Sequence, residues 1–534
     1  MAVAAPRFHR SLSGFGVIVL TLSVLSPGVS IFVSGGTIIQ QAGSAAILAF
    51  VLGSVINYFQ IAMIAELGSS YPTAGYEYAA IGHAIGDWAG ATLYVTSLLT
   101  LPLFLNTSAA GIAIYLRPLF PALSDDPITY VTIAVCTALS MLNIRSSERI
   151  TGLFLLIEVV ALLLVCGLGV AHVQPGVQQL LLHPGTMHRG TWVGVGLGAV
   201  ALASTSASWA LSGSSQALYF SEDMKRPSTV GRLMMLCLLM TVILETAPVI
   251  GTIIGSPDLR LVLAADAPFE SFLAQYLPGF AMKLVSLAIA VAIFNAALAG
   301  FIGIGRNVFS MGRTKLFSPA INQALLHIIP GTDAPWVAIL AVGAATALVT
   351  PLSLSIKIML LSGGLTITTV FYVWGAFAGR RSGRTGQRGY RMPFYPLTPL
   401  VGILIVVVEA VAQWIDKDIG RPALGIMLVA YTLGYLYYRL VLRRRPGGWR
   451  LVGPADIDVQ ADSPRPVQAQ AWPRRPGFTC CGARSLLSQP EDLKYLPCAT
   501  PSSLMARTPT RGSCRAAPRS RPGISSCTTR RSAS

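Results

Sequence analysis

Residues 14–38 read GFGVIVLTLSVLSPGVSIFVSGGTI, twenty-five consecutive positions without a charged side chain. A helix crossing the roughly 30 Å hydrocarbon core of a bilayer needs about 20 such residues. The stretch has that length, and its middle holds Ser26-Pro27-Gly28-Val29-Ser30. Proline removes a backbone donor and glycine permits angles that a helix does not use, so the segment predicts a membrane helix broken halfway. Within a bilayer such a break is tolerated where the freed backbone lines a cavity or lies against protein.

The rest of the chain repeats the pattern. Of 534 residues, 53% are hydrophobic and 11% are charged, against about 25% charged in a soluble domain. A soluble protein of this length has no such shortage of charge for its surface. Apolar blocks predict twelve transmembrane helices, spans 1 to 12, near 14–38, 44–65, 88–112, 128–144, 151–173, 192–219, 231–254, 280–308, 336–353, 355–378, 397–415 and 422–441. The expected fold class is therefore an all-α integral membrane protein with one transmembrane domain over 14–445. Breakers and charges fall in the links: Tyr71-Pro72, Asp125-Asp126-Pro127, Pro184-Gly185 and Glu222 to Pro227. No cleavable signal peptide is expected, because the first apolar block is too long and lacks a small-residue cleavage site.

The formal charge is +17, yet its distribution points to a bilayer and not to nucleic acid. If residues 1–13 are cytoplasmic, 20 of the 39 Lys and Arg lie in or beside inside segments, 7 outside, and 12 after Gly453. That bias predicts both termini in the cytoplasm of a cell-membrane protein. Cys136, Cys166 and Cys237 stand singly in apolar segments and read as small hydrophobes. From about Pro454 the chain turns rich in Arg, Pro, Ser and Cys without periodicity, which predicts a disordered basic tail over 454–534. Two origins fit that tail: a regulatory segment meeting anionic lipid through its arginines, or a gene-prediction artefact.

Span 6 carries a second break, Ser212-Gly213-Ser214-Ser215, five spans after the first. Transporters built from inverted repeats place broken helices at equivalent points of each half. A half-helix starting near Val29 presents unpaired N–H groups and partial positive charge, which suit a carboxylate. Carbonyls freed around Trp209 to Gly213 suit an ammonium group. A site offering both suits an α-amino acid; the competing reading is that small residues merely let helices pack, as at Gly363-Gly364 of span 10. No metalloprotease, paired-aspartate or serine–lysine constellation lies in the spans, which argues against a membrane enzyme. Nor is there a carbonyl-filter motif of a channel or a P-loop of an ATP-driven pump.

Four ordered motifs resemble the amino acid–polyamine–organocation permease superfamily. They are Gly28-Val29-Ser30-Ile31-Phe32; Ala65-Glu66-Leu67 with Tyr71-Pro72-Thr73-Ala74-Gly75-Tyr76-Glu77-Tyr78; Glu222-Asp223-Met224-Lys225-Arg226-Pro227; and Arg306, Met311, Arg313 and Pro319 leaving span 8. The resemblance covers roughly residues 10–445. It implies a ten-helix core of two inverted five-helix repeats plus two added helices, with substrate between broken spans 1 and 6 alongside spans 3 and 8. It implies a secondary transporter of an amino acid, proton-coupled or exchanging; the alternative cargo is a related amine such as choline, a polyamine or 4-aminobutyrate. Carried over by position, the substrate site is Ser26, Gly28, Val29, Ser30 and Ile31 with Trp209, Gly213, Ser214 and Ser215. No metal or cofactor is implied.

Three departures bear on that site. Ser30 replaces a glycine, and Ser214-Ser215 stand where many members have an aromatic and then an acidic residue. Trp209 becomes the candidate for closing the site. With no acid there, a cationic side chain lacks an evident partner, which favours a neutral or small polar cargo.

Glu158, Glu245 and Glu409 fall inside spans 5, 7 and 11. An acid at mid-bilayer costs about 2.5–3.5 kcal/mol on insertion scales. In proton-coupled members the position resembling Glu158 often carries a lysine in place of a sodium ion beside span 1, so Glu158 is the candidate coupling residue. Glu66, Glu77 and Asp87 follow span 2 and read as fixing the inner gate.

Overall fold

A computed structural model of the chain describes residues 12–451 apart from 117–123, 143, 189–190, 266, 331, 333, 388, 447–448 and 450. Residues 1–11 and the 454–534 tail, with the readings made for them, lie outside the described residues.

Among the described residues, eight helical runs are long and apolar enough to cross a membrane: Gly14–Ser70, Asp87–Leu116, Thr151–Ala171, Pro227–Gly255, Gly279–Arg313, Leu354–Arg381, Leu397–Ile415 and Gly420–Leu442. The first run, 57 residues long, holds spans 1 and 2. It is divided at Gly43, whose φ of 54° ends the helix Gly36–Ala42 before Ala46–Ser70 begins. Spans 4, 6 and 9 hold shorter helices, Asp125–Leu139, Leu197–Leu211 and Trp336–Leu348.

Outward faces confirm the solvent these helices meet. On span 5, Leu153, Leu156, Val160 and Leu163 are all exposed, at the spacing of one helical face. A soluble helix turns polar residues outward at those positions; this one turns leucine and valine.

The expected start of span 6 is corrected. Residues 192–196 are not helical: Thr191–Gly194 pairs antiparallel with Gly185–His188, Gly185 opposite Gly194 and His188 opposite Thr191. Threonine, tryptophan and valine in succession favour extended backbone, and the helix begins only at Leu197. Among the described residues the fold is thus helical with one short antiparallel strand pair.

One end of the bundle is tied by buried ion pairs between segments far apart in sequence. Arg313 forks onto Glu222 at 2.5 and 2.9 Å, and Glu222 also accepts the Ala74 N–H at 2.8 Å. Arg306 lies 3.3 Å from Asp223. Arg380 donates twice to Glu66, each at 2.5 Å, and Glu66 further accepts from the Thr385 hydroxyl and the Met392 N–H. Leu12 bridges the same end, its N–H donating to the Asp223 carbonyl and its carbonyl accepting from Lys225. Glu222 and Asp223 of one sequence motif are therefore answered by Arg313 and Arg306 of another, while Glu66 is answered by Arg380 at the end of the helix Leu354–Arg381.

Candidate functional site

Span 1 breaks because of three adjacent residues. The helix Gly14–Leu25 stops at Ser26, whose φ of 47° and ψ of 92° no helix accommodates. Pro27 follows at the first turn of the next half, where its missing N–H is harmless, and the Ser26 hydroxyl caps that half by accepting from Val29 N–H at 3.1 Å. Val29–Gly35 then runs as a π-helix, a wide turn often found at functional sites.

The N-terminal end of this half-helix already has a carboxyl group against it. Gly28 N–H donates to Glu158 Oε1 at 2.5 Å and the Ser26 hydroxyl donates to the same oxygen at 2.8 Å. Position 28 is tight: an added Cβ would lie 3.0 Å from Glu158 Cγ, so the Glu158 side chain would have to give way to it. The Ser30 N–H returns to the Ser26 carbonyl at 3.1 Å. Glu158 is fully buried, with its other oxygen unpartnered. Glu245 of span 7 lies next to it, equally buried, and faces the Ser30 side chain. Two acids of different spans thus sit behind the span 1 break.

Span 6 breaks opposite. The helix Leu197–Leu211 ends, Ser212 is extended, and Gly213 takes a φ of 129°, a conformation that only glycine adopts without strain. A 3-10 helix, Ser214–Asp223, completes the span. The two breaks touch: the Ser30 hydroxyl donates to the Ala210 carbonyl at 2.9 Å, and Gly213 packs against Leu25.

Between them lies a cavity of about 130 Å³. Spans 1 and 6 contribute Val29, Ser30, Ser34, Trp209, Ser212, Gly213, Ser215 and Gln216. Span 2 adds Asn57 and Gln60, span 3 adds Thr96, Ser97 and Thr100, span 10 adds Gly364, Thr368 and Tyr372, and span 12 adds Tyr431. Asn57 Oδ1, Gln216 Oε1 and the Ser34 hydroxyl lack hydrogen-bond partners. Buried polar atoms without partners are uncommon, and these three belong to lining residues.

The floor of the cavity is tyrosine and one acid. Tyr76, Glu77 and Tyr78 open the short helix Tyr76–Ile85. Tyr76 stacks on Tyr219 at 4.3 Å between ring centroids and shares a 2.5 Å hydrogen bond with the Ser215 hydroxyl. The Tyr372 hydroxyl donates to Glu77 Oε2. Burial pushes the Glu77 carboxyl up to about 7, with bonds from Tyr372, Tyr76 and Ser215 opposing the shift.

Residues 12–435 match the family model for amino acid permeases. The chain belongs to the amino acid permease family. This permease is similar to an L-asparagine permease of Streptomyces coelicolor, 23% identical over 458 residues that cover 76% of the chain and 86% of the relative. It is also similar to a branched-chain amino acid permease of Lactococcus lactis, 23% identical across 70% of the chain and 83% of the relative. A human Asc-type amino acid transporter is 26% identical over a shorter stretch, 37% of the chain and 39% of the relative.

Of the site residues read from sequence, Val29, Ser30, Trp209, Gly213 and Ser215 line the permease's cavity. Ser26 and Gly28 face Glu158 instead, Ile31 is fully buried in the core, and Ser214 is buried behind the break. No residue of span 8 lines the cavity, whereas spans 2, 10 and 12 do. Asn57 and Gln60 had a visible signal, two amides in an apolar span; Glu77 read as a gate residue and not as cavity lining, and Tyr372 had no signal. Glu409 accepts a hydrogen bond from Gln60 of span 2 at 3.4 Å. Among the described residues no three of His, Cys, Asp and Glu come together as a metal site.

Proposed function

We propose that this permease carries an amino acid across the cell membrane by alternating access, driven by protons or by exchange, with both termini in the cytoplasm. In this reading the twelve spans comprise two inverted five-helix repeats plus two added helices. The observation that carries it is the cavity between two touching helix breaks, walled by unpartnered acceptors.

Asn57 Oδ1, Gln216 Oε1 and the Ser34 hydroxyl offer lone pairs to an α-ammonium group. Val29 and Ser30 stand at the π-helical start, where the helix dipole favours a carboxylate, and Trp209 covers the break in span 6. Glu158 is the coupling residue: a buried carboxyl holding the N-terminal end of the half-helix changes that hold when it gains a proton. Protonated, it is a weaker acceptor for Gly28 N–H, so the hinge in span 1 loosens.

The test is uptake of a labelled amino acid panel into proteoliposomes, with and without an imposed pH gradient. Movement of at least one amino acid above protein-free vesicles is expected. Absence of any uptake or exchange overturns the transport reading, and full proton-driven uptake by Glu158→Gln removes Glu158 from the coupling.

A further inference from the structure

The acids at the tied end of the bundle divide into two kinds. Glu66, Glu222 and Asp223 are each paired with an arginine: Arg380, Arg313 and Arg306. Glu77 is not. The groups facing it are the hydroxyls of Tyr372 on span 10 and of Tyr76 and Ser215, and its remaining titratable neighbours are Tyr78, Tyr219 and Tyr431, all uncharged. Among the described residues it is also the one acidic or basic side chain lining the cavity, whose lining holds no Lys, Arg or His.

A carboxylate taken out of water with no countercharge is costly. The faces of tyrosine rings attract cations, and a cluster of them beside a carboxylate is the chemistry that recognises ammonium groups. Here Tyr76 stacks on Tyr219 and meets Tyr78 edge-on at 5.1 Å, and the Tyr372 hydroxyl bonds the acid directly. The missing positive charge therefore has a place to arrive from: the cavity.

We infer that Glu77 and its surrounding tyrosines form the subsite for a positively charged group of the cargo, so that the permease favours an amino acid or amine bearing a distal ammonium or guanidinium group. This rests on the transport reading for the cavity, and it reverses the expectation of a neutral cargo drawn from Ser214-Ser215. Span 6 supplies no acid, but the loop after span 2 places one beside Ser215.

The test compares L-ornithine with L-norvaline, which lacks only the distal ammonium group, by calorimetric binding to the purified permease at pH 6 and pH 8; putrescine serves as the amine alone. Ornithine is expected to bind at least tenfold more tightly than norvaline at pH 8. The ratio falls at pH 6, because a protonated Glu77 no longer attracts a cation. Glu77→Gln brings the ratio to about 1 at both pH values, and Glu77→Asp keeps it above 1. Equal binding of ornithine and norvaline, or a ratio untouched by Glu77→Gln, overturns the inference. If Glu77→Gln does not fold, the unaltered protein decides, since a ratio flat from pH 6 to pH 8 overturns it equally. Glu77-dependent binding of ornithine or putrescine without transport sinks the transport reading and leaves the subsite standing. Transport of norvaline with exclusion of ornithine does the opposite.

Discussion

Removing the Glu158 side chain separates its structural role from its protonic one. Glu158→Ala deletes the acceptor of two buried bonds, from Gly28 N–H at 2.5 Å and the Ser26 hydroxyl at 2.8 Å. The hydroxyl can rotate toward another acceptor; the backbone N–H cannot. An orphaned buried donor costs about 1–3 kcal/mol. Losing the side chain packed against Gly28 adds a cavity term of about 1–2 kcal/mol, scaled down from large-to-small core substitutions. Part of this is offset because a buried carboxyl no longer has to be desolvated, leaving a net of about 2–4 kcal/mol. Glu158→Gln keeps an oxygen where Oε1 was, and its amide replaces an oxygen that has no partner, so its cost stays below about 1 kcal/mol. The assay is reversible unfolding in mixed detergent–SDS micelles, monitored by tryptophan fluorescence. Equal stability of the two variants, within about 0.5 kcal/mol, refutes the claim that this carboxyl anchors the break.

Other consequences follow from the same geometry. Neutralising either Glu66 or Arg380 leaves a buried charge alone and is expected to cost about 3–5 kcal/mol, while the double neutral variant costs less than the sum, which a thermal-unfolding cycle in detergent measures. Gly213→Ala forces a side chain into φ 129° at a strain of about 1–3 kcal/mol, and its uptake per folded molecule is expected to fall well below that of the parent. Glu77 holds its proton to about pH 7 when folded, against about 4.5 when unfolded. The folded state therefore binds more protons between those values, and stability falls as pH rises from about 4.5 to about 7, then levels. Glu77→Gln removes that contribution, so its stability relative to the parent should climb across the same window; a difference constant with pH contradicts the assignment.

The sequence by itself determined the solvent and the hinges. Runs of about 20 apolar residues, a deficit of charge and basic flanks are local quantities, and they put the chain in a bilayer. Ser26-Pro27-Gly28 and Gly213 break helices through backbone chemistry that needs no neighbour. The four motifs pointed to the permease family for the same reason, since each is contiguous or nearly so. The start of span 6 was misread because Thr191-Trp192-Val193 is apolar whether it is helix or strand.

Tertiary structure alone decided what faces what. Glu158 lies 130 residues from Gly28, and nothing in span 5 marks which of its faces meets the break. Gly28 therefore looked free for a substrate carboxylate, although the protein supplies a carboxyl of its own. Glu77 and Tyr372 are 295 residues apart, and only their meeting turns a loop acid into the wall of a cavity. Helical periodicity fixes which residues share a face, but the partner of that face is set by packing over the whole chain, and in this permease the chemistry of the cavity resides in those partners.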